Sequence, residues 1–434
     1  MTYKETIEFL YTHLPVYHRI GKAAYKADLR NTLELDNYFG QPHKKFATVH
    51  VAGTNGKGSV SHMIASILQE AGYKTGLYTS PHLTDYRERI RINGQKISEE
   101  AVISFVENNK EVLYSINPSF FEMSVAMAFN YFAENEVDIA VIEVGLGGRL
   151  DSTNIITPLL SIITNIGHDH MDLLGDTLEK VAAEKAGIIK NDIPVIIGEK
   201  QDLTDYVFIS KAARAYSELF FAEDYYVCKL DEPDLLTGLR RYSLMQTDKP
   251  VIIKGEIPMG GSYQEKNLQV VATAADILRY RFNLTTEQII LGIKKTVRNT
   301  GLQGRWQIIE NSPLIICDTG HNKEGLEKVI GQINTTPKKN LHMVIGFVKD
   351  KDIRSVLPLM PADARYYFTK ASVPRALDER ILMETAREYN LKGSSFHNVM
   401  DALNEAKRNA GSDDMIFVGG STFVVADLLQ GLQR

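Results

Sequence analysis

The string Phe46-Ala47-Thr48-Val49-His50-Val51-Ala52-Gly53-Thr54-Asn55-Gly56-Lys57-Gly58-Ser59 carries an apolar run into a Gly-Lys loop. Beyond it, Val60, Met63, Ile64, Ile67, Leu68 and Ala71 recur at helical spacing, and Gly72 stands where a helix C-cap is expected. A strand, a glycine loop and a helix N-terminus in that order suit the phosphates of a nucleoside triphosphate, because the first amides of the helix face outward. Gly53, Gly56 and Gly58 let the main chain turn tightly and approach an anion, Thr54 and Asn55 lie between the first two, Ser59 follows the last, and Lys57 adds a mobile positive charge. The loop departs from a standard Walker A, since Val51 occupies the first-glycine position and Gly58 follows the lysine. A glycine-rich turn that only reverses the chain is the bland alternative, and the strand and helix flanks argue against it.

Further candidates stand at the ends of other apolar runs. Glu143 precedes Gly145-Leu146-Gly147-Gly148-Arg149-Leu150-Asp151, where a carboxylate needs either a structural partner such as Arg149 or a cation. Beside a triphosphate that cation is magnesium, which favours hard oxygens. Asn165-Ile166-Gly167-His168-Asp169-His170 follows another run, so His170 reads as a hydrogen-bonded loop residue, a metal ligand or a phosphate contact. No second Cys or His cluster completes a zinc site around it. Asp176-Thr177-Leu178-Glu179 has capping-box character, and Leu178, Val181 and Lys185 share one helical stripe. Lys185 therefore points with apolar neighbours; spacing alone reads it as a snorkelling ammonium, whereas a partly neutral amine would react with carbon dioxide. In the second half, Cys317-Asp318-Thr319-Gly320-His321-Asn322 and Gly419-Gly420-Ser421 again place polar groups at strand ends, and Gly304-Arg305-Trp306 carries an arginine at the expected interdomain joint.

The elements that must hold these residues follow a βαβ pattern. Residues 74–79 read as the second strand, leading into Ser80-Pro81-His82-Leu83. The near-continuous apolar runs 138–145 and 159–165 read as parallel strands buried on both faces. In such sheets ligands bind beyond the carboxyl ends of the strands, so Lys57, Ser80, Glu143 and His170 are expected to converge. Residues 225–261 look less regular, with short β-like runs such as 250–253. Helices are expected over 263–281 and 286–297, and 298–304 resembles a linker. Beyond it apolar runs at 314–317, 343–347, 366–369 and 415–418 alternate with helical stretches at 323–333, 378–389, 401–410 and 422–429, a second and smaller α/β domain. The division is thus 1–297, a linker 298–304, and 305–434.

Length and composition agree: 434 residues exceed what one core usually serves, and 44% apolar content is ordinary for a globular chain. A net charge of −5 offers no broad attraction for nucleic acid or an anionic membrane. Two cysteines, Cys228 and Cys317, exclude a disulfide framework and point to the cytoplasm. The first eight residues, Met1 to Glu8, contain no signal-peptide core and no stretch reaches bilayer length, so a soluble, unprocessed monomer is expected.

Taken in order along the chain, Gly53-Thr54-Asn55-Gly56-Lys57-Gly58-Ser59, Thr79-Ser80-Pro81-His82-Leu83, Phe121-Glu122, the 143–151 segment, Gly167-His168-Asp169-His170, Glu184-Lys185-Ala186-Gly187, Gly304-Arg305 and 318–322 resemble the folylpolyglutamate synthase and dihydrofolate synthase family, a branch of the Mur ligase superfamily. The resemblance implies a P-loop ATPase domain with a mostly parallel sheet and a C-terminal Rossmann-like α/β domain. It implies ATP bound by Gly53 to Ser59, Asn267, Arg305, Asp318 and His321, two magnesium ions held by Ser80, Glu143 and His170, and Lys185 as a carbamoylated metal ligand. Lys57, Lys185 and His321 are the expected catalytic residues, with Phe121, Glu122 and Ser421 toward the substrate. Thr319-Gly320 departs from the small-residue pair usual between the family's Asp and His. The implied reaction phosphorylates a carboxylate and lets the amine of L-glutamate attack the acyl phosphate. The acceptor is a reduced folate, dihydropteroate, or both. Two rivals remain: a cell-wall Mur ligase, for which the 52 residues before Gly53 leave no room for a nucleotide-sugar domain, and a P-loop switch, which lacks an Asn-Lys-x-Asp string here.

Overall fold

Unbroken apolar runs become the central strands of a large sheet, because strands covered on both faces need no polar alternation. In the computed structural model, which describes residues 1–14 and 28–433, these are β1 (Ala47–Ala52), β5 (Ile139–Glu143) and β6 (Leu160–Ile163). With β2 (Thr75–Tyr78), β3 (Ile90–Ile92), β4 (Gln95–Lys96), β7 (Val195–Ile197) and β8 (Leu219–Phe221) they make an eight-stranded sheet in the order β4-β3-β2-β5-β1-β6-β7-β8. Only the β2–β3 and β3–β4 pairings are antiparallel, at one edge. Val51 pairs with Glu143 on one side and Ile162 on the other, so the carboxyl ends of β1, β5 and β6 lie side by side. Backbone bonds carry the alignment past the strands: the Val144 amide donates to Val51 at 2.9 Å and the Thr164 amide to Ala52 at 2.9 Å.

The helix Lys57–Glu70 follows β1 directly and is buried along most of its length, from Ser59 to Leu68. Gly72, in the left-handed region at φ +90°, ends it by donating to the Gln69 carbonyl at 2.9 Å. Its outer side meets the helix Thr286–Lys294, where Ser66 Oγ donates to the Gly292 carbonyl at 2.6 Å. The expected single helix over 286–297 instead breaks at Lys295, and Thr296–Thr300 forms a further turn closed by Gly301 at φ +67°. The expected linker at 298–304 accordingly begins as helix.

Residues 226–257 are more regular than their sequence suggests. β9 (Tyr226–Leu230), β10 (Arg240–Gln246) and β11 (Ile252–Ile257) form a three-stranded sheet in which β9 and β10 pair antiparallel. β9 and β10 bury alternate residues and β11 buries only Ile253 and Ile257, so no continuous buried run marks them.

A second sheet, β12-β13-β17-β14-β15-β16, contains β12 (Gln307–Asn311), β13 (Leu314–Cys317), β14 (Leu341–Ile345), β15 (Arg365–Thr369), β16 (Lys392–Phe396) and β17 (Met415–Gly419). All its pairs are parallel except the β12–β13 hairpin. The expected apolar strands and intervening helices are present; β12 and β16 are the additions. β16, Lys-Gly-Ser-Ser-Phe, is an edge strand with little burial, recognisable only through its ladder to β15.

The chain divides into two compact units. The first comprises Met1–Leu230, Tyr242–Ile257 and Glu265–Leu302; the second comprises Asp231–Arg241, Pro258–Gln264 and Gln303–Arg434. Two short segments that the sequence places within the first domain therefore group with the second. Each unit has its own core, with Phe129, Phe132 and Tyr78 in the first and Trp306, Tyr366 and Phe417 in the second. Among the described residues no helix is long and apolar enough to cross a membrane.

A Cβ at Gly292 would lie 2.5 Å from the Cα of Ile67. Alanine gains about 1 kcal/mol of helix propensity over glycine. Overpacking typically costs about 1–3 kcal/mol, and here the obstacle is backbone that no rotamer change relieves. Gly292→Ala is expected to lower the melting temperature by several degrees; an unchanged or raised melting temperature would show that the two helices separate freely.

Candidate active site

In the first unit the loop after β1 is shaped by contacts that glycine alone tolerates. Gly53 adopts φ +144° and a Cβ there would meet Thr164 Oγ1 at 1.8 Å; Gly56 adopts φ +86° and a Cβ would meet Asn267 Oδ1 at 2.4 Å. The end of β6 braces this loop. Thr164 Oγ1 donates to the Asn55 carbonyl at 2.5 Å, the Thr54 amide donates to the Asn165 carbonyl at 2.9 Å, and the Asn55 amide donates to Asn165 Oδ1 at 2.9 Å. Asn165 is held in turn by donating to Glu199 at 2.9 Å. Gly56 caps the helix Lys57–Glu70, whose opening turn contains Gly58 and the buried Ser59.

Two amines meet at one loop carbonyl. Lys57 Nζ donates to Gly53 O at 2.9 Å and to Thr54 O at 3.1 Å, while Lys185 Nζ donates to Gly53 O at 2.9 Å. Lys185 is buried, unlike a snorkelling side chain. Burial lowers its pKa to about 7, and the nearby Lys57 charge acts in the same direction against Asp169 and Asp151. Its helix, Leu178–Lys185, is capped by Thr177 rather than by the expected Asp176, which pairs with Lys180 at 2.6 Å. The end of that helix is pressed against the glycine loop of 145–148: a Cβ on Gly148 would lie 2.9 Å from the Glu184 and Lys185 carbonyls, and Arg149 pairs with Glu184 at 2.8 Å.

Glu143, at the end of β5, is buried and accepts the Ser80 amide on Oε2 at 3.1 Å. Behind it the buried Asp151 accepts from the Leu146 amide at 2.9 Å, the Thr153 amide at 3.0 Å and the Thr153 hydroxyl at 2.5 Å. Burial raises the Asp151 pKa against those donors. The same hydroxyl meets His50 Nε2 at 2.8 Å, and burial drives His50 down to about 3, so its ring is neutral. Phe121 covers Gly145, where a Cβ would meet its ring at 2.4 Å. Glu122 closes a capping box with Ser119 and accepts from Asn31 at 3.3 Å.

Of the expected metal residues, Ser80 and Glu143 touch, and Lys185 reaches the phosphate loop. His170 begins the short helix Met171–Leu174 in the left-handed region at φ 54°, its amide bonded to Asp169 at 2.9 Å and its ring 3.8 Å from that carboxylate. Among the described residues no three His, Cys, Asp or Glu side chains form a metal cage. The hydroxyl of Ser80 and the carboxylate of Glu143 are hard donors, and magnesium takes only one or two such protein ligands alongside phosphates and water. The residues therefore fit that ion.

The second unit carries the remaining candidates at the carboxyl ends of β13 and β17, which pair Cys317 with Val418. Asp318 is buried and accepts from Tyr263 OH at 2.6 Å, the Trp306 amide at 2.7 Å and the Gly320 amide at 2.7 Å. Burial raises its pKa while these donors and Arg305 oppose the rise. Trp306 lies at φ 48°, a strained setting for a bulky side chain, and Gly304 at φ 71°. Between them Arg305 donates to Thr319 Oγ1, which itself donates to the Gly304 carbonyl at 3.1 Å. His321 Nδ1 faces the Thr319 carbonyl at 3.0 Å, which fixes the proton on that nitrogen. Ser421 caps the helix Thr422–Leu432 by accepting from the Phe423 amide at 3.2 Å. Thr164 and Tyr263 were not picked out by sequence. Their partners are more than 50 residues away, and only the hydroxyl ending an apolar run hinted at Thr164.

The chain matches the Mur ligase middle domain over residues 51–275 and the Mur ligase glutamate ligase domain over residues 304–422. It is 32% identical over 423 residues to the dihydrofolate synthase/folylpolyglutamate synthase of Bacillus subtilis (strain 168), covering 95% of this chain and 96% of that protein. Among solved structures it resembles Escherichia coli FolC in complex with DHPP and ADP, with 28% identity, a TM-score of 0.83, and coverage of 100% of this chain and 98% of that one. A complex of FPGS with AMPPCP and folate superposes with a TM-score of 0.84 and 28% identity over 100% of both chains.

Thr164→Val keeps the shape of the brace and removes the hydroxyl bonded to Asn55. A lost hydrogen bond of about 1–1.5 kcal/mol corresponds to roughly tenfold weaker binding of a non-hydrolysable ATP analogue, read by titration calorimetry, with the fold retained. Unchanged affinity would mean that the loop keeps its form without Thr164.

Proposed function

The chain belongs to the folylpolyglutamate synthase and dihydrofolate synthase family of Mur ligases, and we propose that it joins L-glutamate to the γ-carboxyl of a reduced folate. It is an ATP-dependent carboxylate–amine ligase. The observation that carries the reading is the pair of lysine amines at the Gly53 carbonyl, inside a glycine loop that opens a helix. The similarity to solved FPGS and FolC complexes favours it over a cell-wall ligase or a nucleotide switch.

A carboxylate does not react with an amine until its oxygen is made a leaving group. Transfer of the terminal phosphoryl group of ATP to the folate carboxylate gives an acyl phosphate, and attack by the glutamate amine forms the amide and releases phosphate. The amides of the helix Lys57–Glu70 and the Lys57 ammonium bind and orient the phosphates. Ser80, Glu143 and His170 would hold magnesium, two ions in all, and the metal would supply charge neutralisation for the transferring group. Because burial brings the Lys185 amine to a pKa of about 7, a substantial fraction is neutral near that pH. That lone pair adds to the carbon of carbon dioxide, a proton leaves the nitrogen, and the carbamate offers metal-binding oxygens in place of a cation. Asn267, Arg305, Asp318 and His321 are the ATP contacts, with His321 also in a catalytic role. Phe121, Glu122 and Ser421 serve the substrate. Dihydropteroate is the second acceptor, a reading supported by the double name of the Bacillus relative. The protein acts as a cytoplasmic monomer; its two cysteines, Cys228 and Cys317, are buried and not joined in a disulfide, which is compatible with a reducing compartment.

Purified protein given ATP, magnesium and glutamate, with a reduced folate and dihydropteroate in parallel, is expected to add one glutamyl residue per cycle to the folate, read by mass spectrometry. No product from either acceptor would overturn the reading.

Lys185→Ala is expected to lose at least 100-fold in turnover, on the scale of removing a charge-stabilising group. Formate or acetate supplied in solution should restore part of it, since either replaces the carbamate oxygens. A fully active Lys185→Ala enzyme would remove the carbamate.

A further inference from the structure

We propose that Tyr263 is a positioning residue, whose phenol fixes the Asp318 carboxylate in the orientation used to contact ATP. The inference rests on the role assigned above to Asp318. An ionised carboxylate has about four acceptor positions, two on each oxygen. Tyr263 OH at 2.6 Å and the Trp306 amide at 2.7 Å both reach Oδ2, and the Gly320 amide at 2.7 Å reaches Oδ1. The inner oxygen is thereby saturated, and the remaining position lies on Oδ1. Two of the three donors are main-chain groups fixed by the turns that contain them. Tyr263 is the side chain among them, and it comes from Pro258–Gln264, a segment distant in sequence that groups with the second unit.

Without the phenol, Oδ2 keeps one donor and the carboxylate turns more freely about its Cβ–Cγ bond. The ring itself packs against the hydrophobic core of the second unit, so the hydroxyl is separable from the packing. Charged and titratable groups acting on Asp318 are Tyr263, Arg305 and Cys317. Tyr263 lowers the Asp318 pKa, so its loss moves the acid limb of kcat/KM for ATP to higher pH.

The test compares Tyr263→Phe, Asp318→Asn and the double variant in full-length protein, by the Kd of a non-hydrolysable ATP analogue, KM values for ATP and folate, and melting temperature. Tyr263→Phe is expected to weaken the analogue about tenfold and raise the KM for ATP similarly, as for loss of a hydrogen bond to a charged group. The KM for folate should stay within about twofold, a split that general loosening of the fold would not give. In the Asp318→Asn background the same change should add no more than about twofold, and the melting temperatures separate this coupling from any loss of fold. Normal nucleotide affinity in Tyr263→Phe beside a weakened Asp318→Asn overturns the positioning role alone. A further tenfold loss in the double variant overturns it too, because Tyr263 would then act independently of the carboxylate. Normal affinity in Asp318→Asn overturns both the positioning role and the ATP contact it rests on.

Discussion

One carbonyl oxygen, that of Gly53, receives the amines of both Lys57 and Lys185. Two full positive charges at that separation repel, and burial of Lys185 makes its charged form the one that gives way. Much of the first unit is arranged to keep that meeting in place. The glycine loop is braced by Thr164 and Asn165 from β6, and the helix bearing Lys185 is locked against Gly148 and Arg149 beyond β5. Because β1 lies between β5 and β6, all three strand ends contribute to one small volume.

Sequence reveals such an arrangement only where burial is continuous. β1, β5 and β6 were legible because both faces are covered and all but His50 and Glu143 are apolar or small. β16 was not, since its Lys, Gly and Ser residues acquire strand character only by bonding to β15. The β9–β10–β11 sheet failed differently: it alternates over a few residues and is interrupted by loops, and so resembles irregular chain. Lys185 announced itself by sharing a stripe with Val181, yet nothing in its helix reveals that the acceptor is Gly53, 132 residues earlier.

The second unit shows the same limit at Asp318. An acid after an apolar strand is visible in sequence, whereas the left-handed backbone of Trp306 that turns an amide toward it is not. Aromatic residues rarely adopt that conformation, and the saturated Oδ2 is among the contacts that sustain it. Thr319 likewise links Gly304 and Arg305 through one hydroxyl, a contact that a residue without a hydroxyl at this position could not make.

The interleaved units bear on how the chain matures as it is made. Synthesis runs from the N-terminus, and the first unit is complete once Leu302 has emerged. By then Asp231–Arg241 and Pro258–Gln264 have also been made, although their structural companions, Gln303–Arg434, have not. For the time needed to translate the rest, these two segments wait beside a finished neighbour without their own core. Tyr263 is among them, so Asp318 meets its phenolic donor only late in the birth of the molecule.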